Sequence, residues 1–498
     1  MNKKMILYML GRIVELEAIL MIPALICAVV FQEFDVVKCF AVTILGAVIL
    51  GYLLTIAGKT DDKTIFAKEG FIITALAWII MSVVGAVPFV LSGEIPRFVD
   101  AFFEVVSGFT TTGSSILRDV EAMSNGLLFW RSFTHWVGGM GVLVLIMAIL
   151  PMESGRTMHI LRAEMPGPIV GKLVPKVKST AKMLYLIYLG LTAIEVIFLL
   201  FGGMTLFESL VHSFGTAGTG GFGVKGDSIA GYSSYCQWVI TVFMLIFGVN
   251  FNLYYLLLVK KVKSFLKSDE LWVYVIIVFI SVAVITLNVF GMVENALALS
   301  DTVRISAFQV ASIITTTGYA VVDFDAWPAL SKMILLILMF VGGCAGSTAG
   351  GIKISRIVIL FKQTKANLKH FIHSRSVDTV RFEGKPLEGS TVRGVTSYLA
   401  VYVICLLVTV LLISFDNFAS ISGSEAQFSA LETHISAAMA CFNNVGPGFG
   451  AVGPTLSFAD YSAFSKIVLS FAMLLGRLEI YPMLLLFTPG IWKKAKTK

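Results

Sequence analysis

The chain has 498 residues, of which 57% are hydrophobic and only 14% are charged, and its mean hydropathy is +0.87. Soluble domains carry about 25% charged residues, and a folded globule must cover its surface with polar groups. The composition therefore excludes a water-soluble enzyme, a disordered scaffold and, in spite of the net charge of +7, a nucleic-acid-binding protein. It predicts an all-α polytopic membrane protein whose main partner is the lipid bilayer.

Ten apolar runs are long enough to cross a bilayer, and polar or glycine-rich residues separate them. The first run begins directly after Lys3 and Lys4. No small-residue cleavage site follows it, which predicts a retained helix rather than a removed signal peptide. The runs cover about 5–30, 38–57, 71–92, 127–151, 183–203, 236–259, 271–294, 329–362, 394–415 and 461–489.

The distribution of charge predicts the orientation of these spans. If the N terminus is cytoplasmic, most of the 38 Lys and Arg residues fall on the cytoplasmic side. The positive-inside rule then places both termini in the cytoplasm. The basic segments 153–182 and 362–393 are on that side, and we expect either ordinary positive-inside loops or a docking face for a partner protein.

An internal repeat follows the first two spans. The remaining eight runs form four pairs, and each pair is separated by a segment too short to cross the membrane: an amphipathic stretch of about ten residues, then a loop rich in glycine and small polar residues. The four stretches cover about 100–109, 205–215, 303–313 and 430–441. Aligned on one glycine, the loops are Ser107–Gly113, Phe214–Gly220, Ser312–Gly318 and Ala440–Gly446.

This periodicity predicts the architecture. Irregular backbone at membrane depth is tolerated only where it is buried in protein or lines a water-filled cavity, so four such loops require a common cavity. We expect two N-terminal transmembrane helices and four parallel helix–pore-loop–helix repeats around a pseudo-fourfold pore. The corresponding boundaries are 1–60 for the extension, 61–155, 156–262 and 263–385 for the first three repeats, and 386–498 for the fourth.

The loops carry the chemistry of a cation filter. Helix C-termini bear a partial negative charge, and backbone carbonyls can replace a cation's hydration shell. The loops lack a ring of carboxylates, which favours a monovalent cation over a divalent one. The candidate filter residues are Thr110, Thr111, Thr112, Gly113, Ala217, Gly218, Thr219, Gly220, Thr315, Thr316, Thr317, Gly318, Asn443, Asn444, Val445 and Gly446.

A candidate gate interrupts the eighth run. Residues Gly342–Gly351 contain five glycines in ten residues, and each costs about 1 kcal/mol relative to alanine in a helix. A flexible loop here would sit beneath the filter, whereas the alternative is helix packing through small residues. An arginine in the final run costs at least about 2.5 kcal/mol in a membrane and usually faces a cavity or a partner. The candidate gate residues are Gly346, Ser347, Thr348, Ala349, Gly350, Gly351 and Arg477.

Seven stretches resemble a known family: SGFTTTGSS, HWVGGMG, GTAGTGGFG, TTTG, GGCAGSTAGGIK, NNVGPG and LGRLEIYP. They are Ser107–Ser115, His135–Gly141, Gly215–Gly223, Thr315–Gly318, Gly342–Lys353, Asn443–Gly448 and Leu475–Pro482. On these residues the chain resembles the TrkH/KtrB superfamily of potassium transporters, closest to the TrkH branch of bacterial Trk potassium uptake systems. The second filter departs from the pattern, because it reads TAGTG over Thr216–Gly220 where the resemblance leads us to expect bulkier aliphatic side chains.

The resemblance implies a function. It implies a homodimeric, channel-like subunit of the cell inner membrane that takes up K⁺, binds this ion in its filter, and uses the Gly342–Gly351 loop as an intramembrane gate. It also implies regulation by a cytoplasmic TrkA-type partner, on which nucleotides (ATP/ADP or NAD) would bind. No cofactor is expected on this chain.

Other functions compete with this one. A symporter that couples K⁺ to H⁺ or Na⁺ is the main alternative, and the buried position predicted for Glu195 leaves room for proton coupling. A Na⁺-selective relative would tend to lose a filter glycine, and all four are present. Gly218–Gly223 fits G-x-G-x-x-G but follows a membrane half-helix rather than a strand. The histidines form no H-E-x-x-H motif and no catalytic triad, so we expect neither catalytic residues nor an enzyme.

Overall fold

The computed structural model describes residues 2–60, 66–141, 177–290, 298–373, 379–416 and 429–492, and most of these residues are helical. The helices are α1 Lys3–Leu20, α2 Ile22–Val30, α3 Phe34–Ala57, α4 Ala67–Leu91, α5 Phe98–Phe109, α6 Asn125–Gly139, α7 Val177–Phe201, α8 Leu206–Gly218, α9 Ser234–Phe247, α10 Phe251–Leu258, α11 Val262–Leu266, α12 Asp269–Val289, α13 Leu299–Ile314, α14 Ala329–Val341, α15 Ile354–Ile372, α16 Gly389–Ile413, α17 Ala430–Phe442, α18 Ala463–Arg477, α19 Tyr481–Leu486 and α20 Pro489–Trp492. Between α15 and α16, strands β1 Arg381–Phe382 and β2 Lys385–Pro386 form a short antiparallel hairpin.

The N-terminal extension is a helical hairpin. Helices α1 and α2 together form one span, Lys3–Val30, which packs against α3. Small residues let the two backbones approach closely: a Cβ on Gly11 would lie 2.6 Å from the carbonyl oxygen of Gly51. The far face of α3 exposes Val42, Leu45, Ile49 and Leu53, as expected for a surface that contacts lipid.

Six helical spans in the described ranges are long and apolar enough to cross a membrane: Lys3–Val30, Phe34–Ala57, Ala67–Leu91, Ala181–Phe201, Asp269–Val289 and Gly389–Ile413. The other four runs predicted from the sequence coincide with the second helices of the repeats. Three of these are broken: α9 is followed, after a 91° bend, by α10, α14 is separated from α15 by the glycine-rich loop, and α18 ends in a turn before α19. The fourth, 127–151, extends beyond the residues that the structure describes, as does the predicted boundary at 155/156.

The four repeats close into a ring. Their first helix, pore helix and second helix are α4–α5–α6, α7–α8–α9, α12–α13–α14 and α16–α17–α18. The second helix of each repeat contacts the pore helix of the next: α6 with α8, α9 with α13, α14 with α17, and α18 with α5. Because the same contact recurs at every step and the last repeat returns to the first, the repeats are parallel and related by a pseudo-fourfold axis.

The pore helices match their predicted positions. α5, α8, α13 and α17 begin within four residues of the predicted starts and end within three of the predicted ends. Thr205 and Ser429 cap α8 and α17 by accepting hydrogen bonds from the backbone N–H groups of Glu208 and Glu432. All four helices end in buried loops, so their C-terminal partial charges face the interior of the ring.

Candidate functional site

The four pore loops share one backbone conformation. Each contains a non-glycine residue with φ between 55° and 56°, and two residues later a glycine with φ between 80° and 103°. The non-glycine residues are Thr111, Thr219, Thr316 and Asn444, and the glycines are Gly113, Gly221, Gly318 and Gly446. The residue between them donates its N–H to a carbonyl five positions back at 2.8–2.9 Å in every loop.

This geometry corrects the alignment of the second repeat by one residue. The sequence alignment placed Gly220 opposite Gly113, but the residue with the equivalent left-handed backbone is Gly221. Gly220 instead corresponds to Thr112, and its N–H donates to Gly215 at 2.8 Å. The segment Gly215–Gly221 reads GTAGTGG, so the sequence motif can be aligned on more than one glycine. Contacts with the neighbouring loops show which glycine is equivalent to Gly113.

The glycines are required because each lies against the next loop. A Cβ on Gly113 would lie 2.0 Å from the Gly220 carbonyl oxygen, on Gly221 2.0 Å from Thr317, on Gly318 2.1 Å from Val445, and on Gly446 2.8 Å from Thr112. Each distance is too short for a real side chain. The contacts run from loop one to two, three, four and back to one, so the four backbones form a closed collar with no room for a Cβ at these positions.

His135 explains why the second filter lacks bulky side chains. Its ring is fully buried, and its Nδ1 lies 2.7 Å from the Gly108 carbonyl oxygen of the first pore helix. A Cβ on Gly220 would lie 2.3 Å from this ring. The imidazole therefore fills the space that an aliphatic side chain would occupy in the second quadrant, and it connects that quadrant to the first.

The threonine hydroxyls of the first and third loops brace the backbone. Thr110 and Thr112 lie 2.8 Å apart through their Oγ1 atoms, and Thr315 and Thr317 repeat this contact at the same distance. In the fourth loop, the side-chain amide of Asn444 donates to Thr112 Oγ1 at 2.8 Å. These contacts brace the first, third and fourth loops through their side chains.

A second set of hydrogen bonds holds the segments that follow the filter glycines, and the sequence analysis did not find it. In three repeats a pore-helix side chain accepts the N–H of a residue three positions beyond the filter glycine: Glu104 from Ile116 at 2.9 Å, Gln309 from Val321 at 3.2 Å, and Ser436 from Phe449 at 2.9 Å. An acid inside an otherwise apolar half-helix was the available signal for Glu104. The other two look like ordinary polar residues in the sequence.

Glu104 also forms a buried ion pair. Arg131 Nε donates to its Oε1 at 2.6 Å, and both side chains are at most 3% exposed. Arg131 further donates to the Gly223 carbonyl at 3.2 Å and stacks 3.5 Å above the Phe222 ring. The pair thus connects the segments that follow the first and second filters.

Replacing Glu104 by alanine is expected to lower the free energy of unfolding by about 3–5 kcal/mol, because it leaves the Arg131 guanidinium buried without its counter-charge. Arg118→Ala is the matched control, since its ion pair with Asp460 is exposed and such pairs contribute about 0–1 kcal/mol. Denaturation of both variants in detergent measures the difference. Equal losses of stability would contradict the assigned role of the pair.

A vestibule of about 390 Å³ opens above the collar, and all four filter glycines line its floor. Its basic lining residues are Arg118, Arg131 and Lys225. Each of them is paired with a carboxylate, namely Asp460, Glu104 and Glu208. Pairing reduces the repulsion that these side chains would exert on a cation entering the collar.

The glycine-rich loop lies directly against the other side of the collar. Gly350 N–H donates to Thr316 Oγ1 at 2.6 Å, and Gly351 N–H donates to the Asn443 carbonyl at 3.1 Å. The loop therefore contacts the third and fourth filters at once. Of the six gate candidates from 346 to 351, Gly350 and Gly351 make these contacts. Thr348 instead donates to the Phe247 carbonyl, and the Gly346 carbonyl accepts the N–H of Phe251, so the first half of the loop lies against the second repeat.

Arg477, the seventh gate candidate, joins this loop to the opposite side of the ring. Its guanidinium donates to the Thr348 carbonyl at 2.9 Å, to the Gly139 carbonyl at 2.6 Å and to that of Gly138. The last two carbonyls end helix α6, where a cation is favoured. Glu479, in the turn after α18, pairs with Arg356.

Comparisons with known proteins agree with this architecture. A family model described as "TrkH: Cation transport protein" matches residues 37–494. The Trk system potassium uptake protein TrkH of Escherichia coli K12 is 35% identical over 493 residues, which cover 97% of this chain and 99% of that protein. TrkG of the same organism is 32% identical over 496 residues, with 98% and 99% coverage.

Among solved structures, the potassium transporter TrkH from Vibrio parahaemolyticus aligns with a TM-score of 0.85 and 31% identity, covering 99% of this chain and 100% of that one. The similarity extends over both N-terminal helices and all four repeats. It confirms the resemblance seen in the pore-loop motifs. The chain is a multi-pass membrane protein and belongs to the TrkH family of cation transport proteins.

Proposed function

We propose that this chain is the K⁺-conducting subunit of a bacterial potassium uptake system in the cell inner membrane. The observation that carries the proposal is the closed collar, in which four backbone loops with one conformation contact each other in a ring. The curated relatives are potassium uptake proteins of Trk systems, which supports K⁺ as the transported ion.

The chemistry of the collar suits a weakly hydrated monovalent cation. Four pore helices direct their C-terminal ends at it, and backbone carbonyls are its available ligands. None of the four loop segments contains a carboxylate. Divalent cations bind carboxylate-rich cages or retain several waters, so carbonyl coordination favours K⁺.

The loop Gly342–Gly351 is proposed as the gate. Its hydrogen bonds to Thr316 and Asn443 put it against the filter, on the side away from the vestibule. Arg477 holds it there through Thr348 and adds a positive charge beside the path. In this proposal, K⁺ passes when the loop and Arg477 move away from the axis together.

The remaining assignments concern orientation and assembly. The positive-inside pattern supports cytoplasmic termini and a cytoplasmic gate loop, with the vestibule facing outward. A homodimer, and a TrkA-type regulator that binds ATP/ADP or NAD, are proposed because the relatives are components of a Trk system. Part of the proposed docking face, 153–176 and 374–378, lies outside the described residues.

Reconstitution of the purified protein in liposomes tests the proposal. We expect ⁸⁶Rb⁺ uptake that K⁺ inhibits, that Na⁺ inhibits far less, and that does not depend on a pH or Na⁺ gradient. Equal inhibition by Na⁺ would contradict a K⁺-selective filter, and the absence of uptake even after deletion of residues 346–350 would contradict conduction.

A K⁺ symporter is the second candidate, and Glu195 is the observation that favours it. This carboxyl is fully buried in α7, where it interacts with the Thr216 side chain of the second pore helix. A buried acid close to the filter is the kind of group that carries protons in transporters. Uptake that requires a proton gradient, and loses this requirement in Glu195→Gln, would favour the symporter.

A further inference from the structure

Glu270 accepts hydrogen bonds from both sides of the gate candidates 346–351. It is the second residue of α12, only 4% exposed, and it belongs to neither the loop nor the helix that follows it. Its Oε1 accepts the N–H of Ala345 at 2.6 Å and the N–H of Ser355 at 3.1 Å. One carboxylate oxygen thus joins two points that are separated along the chain by most of the proposed gate.

The position of Ser355 makes this contact strong. Ser355 is in the first turn of α15, whose N–H groups have no partners within the helix. A carboxylate there satisfies a free donor and interacts favourably with the helix dipole. Hydrogen bonds to a charged acceptor are also stronger than neutral ones. Glu270 therefore caps α15 and fixes the start of the loop with the same atom.

The hairpin β1–β2 holds the N-terminus of α12 in turn. Glu383, at the turn between its two strands, accepts hydrogen bonds from Ser268 Oγ at 2.9 Å and from the Glu270 N–H at 3.2 Å. Lys362 of α15 pairs with Asp269 at 2.6 Å and donates to the Arg381 carbonyl at 3.2 Å. Ser268 thus contacts the hairpin, Asp269 contacts α15, and Glu270 contacts both the hairpin and the loop.

We propose that Glu270 is a positioning residue that holds the gate loop against the filter, and that the hairpin β1–β2 sets its position through Glu383. Moving the hairpin would pull the start of α12, and with it the carboxylate that holds Ala345 and Ser355 on either side of the gate candidates. The hairpin's turn is exposed, so a binding partner could reach it. This inference rests on the proposed function of the loop as the gate.

The test uses Cys344, a buried thiol inside the loop. In the full chain with the other five cysteines changed to alanine, the rate of N-ethylmaleimide labelling at Cys344 reports how often the loop leaves its site. We expect Glu270→Ala to raise this rate at least tenfold, because it removes the charge-assisted hydrogen bonds from both Ala345 and Ser355. Glu270→Gln, which keeps the acceptor oxygen, and Glu383→Gln should give smaller increases.

Asp35→Asn is the control, because its exposed ion pair with Lys38 in the first turn of α3 contacts neither the loop nor the hairpin. Its labelling rate should equal that of the parent, and thermal unfolding in detergent should be similar for all variants. An unchanged labelling rate at Cys344 in both folded Glu270 variants would overturn the proposal. If Glu270→Ala fails to fold, an unchanged rate in Glu270→Gln alone would overturn it. Unchanged labelling in Glu383→Gln would overturn the role of the hairpin.

Measurements of ion flux distinguish a failure of this inference from a failure of the proposed function. In liposomes, Glu270→Ala should raise ⁸⁶Rb⁺ uptake by the same factor as labelling, and it should have no further effect when residues 346–350 are deleted. Increased labelling without any flux in either background would show that Glu270 positions the loop but that the chain does not conduct K⁺. Increased flux without increased labelling would contradict the positioning role.

Discussion

Replacing Gly221 by alanine is expected to reduce K⁺-selective uptake by at least about tenfold. A left-handed backbone alone costs an L-residue about 1–2 kcal/mol, and each 1.4 kcal/mol corresponds to a factor of ten. Gly221 has a φ of 80°, and an added Cβ would lie 2.0 Å from the Thr317 carbonyl oxygen. Because both atoms belong to backbone, the collar itself must deform. Uptake of ⁸⁶Rb⁺ into liposomes, with K⁺ and Na⁺ as competitors, measures the effect.

Gly220→Ala provides the control that tests the register of the second loop. Its φ is not left-handed, and its added Cβ would meet the ring of His135 rather than backbone. Shortening this side chain with His135→Ala should therefore restore much of the uptake lost in Gly220→Ala, and none of that lost in Gly221→Ala. Rescue of both variants, or of Gly221→Ala alone, would contradict the one-residue correction.

Replacing Arg477 by alanine is expected to raise K⁺ uptake about tenfold or more. The substitution removes the hydrogen bond that fixes Thr348 and the two that connect it to the end of α6. Hydrogen bonds to a charged group contribute about 1.5–3 kcal/mol each, which is enough to shift a closed loop towards open states. It also removes a half-buried positive charge near the proposed ion path. Uptake in liposomes at a fixed K⁺ gradient measures the change.

Arg477→Lys separates the effect of the hydrogen bonds from the effect of the charge. Lysine keeps the positive charge but lacks the planar guanidinium group that bridges three carbonyls. If the bridge closes the gate, the lysine variant should conduct almost as well as the alanine variant. If charge repulsion dominates, it should remain close to wild type. Deleting residues 346–350 should make Arg477→Ala and wild type equivalent, and a large additive effect would contradict a shared gate.

The sequence was sufficient to predict the overall arrangement of helices and repeats. Long apolar runs and a fourfold recurrence of half-helix and glycine loop are local patterns, and they correctly predicted two N-terminal helices, four repeats and four pore helices. The interruption by Gly342–Gly351 was equally visible, because so many glycines cannot continue a helix.

Other features depend on contacts between distant segments, and the sequence did not reveal them. The register of the second loop is set by Thr317 and His135, which lie in other repeats. Breaks in the second helices at Phe247 and Arg477 occur in apolar runs that read as continuous spans. The partners of Glu104 and Glu270 lie tens of residues away along the chain, and the sequence alone does not identify them.

Locating a bound ion tests the central claim most directly. Crystals of the protein in RbCl, with anomalous data collected at the rubidium edge, would report where the transported cation binds. We predict anomalous density on the pseudo-fourfold axis, enclosed by the loops that carry Gly113, Gly221, Gly318 and Gly446. An empty collar, with rubidium bound instead beside Glu195 or not bound at all, would contradict a carbonyl-lined filter.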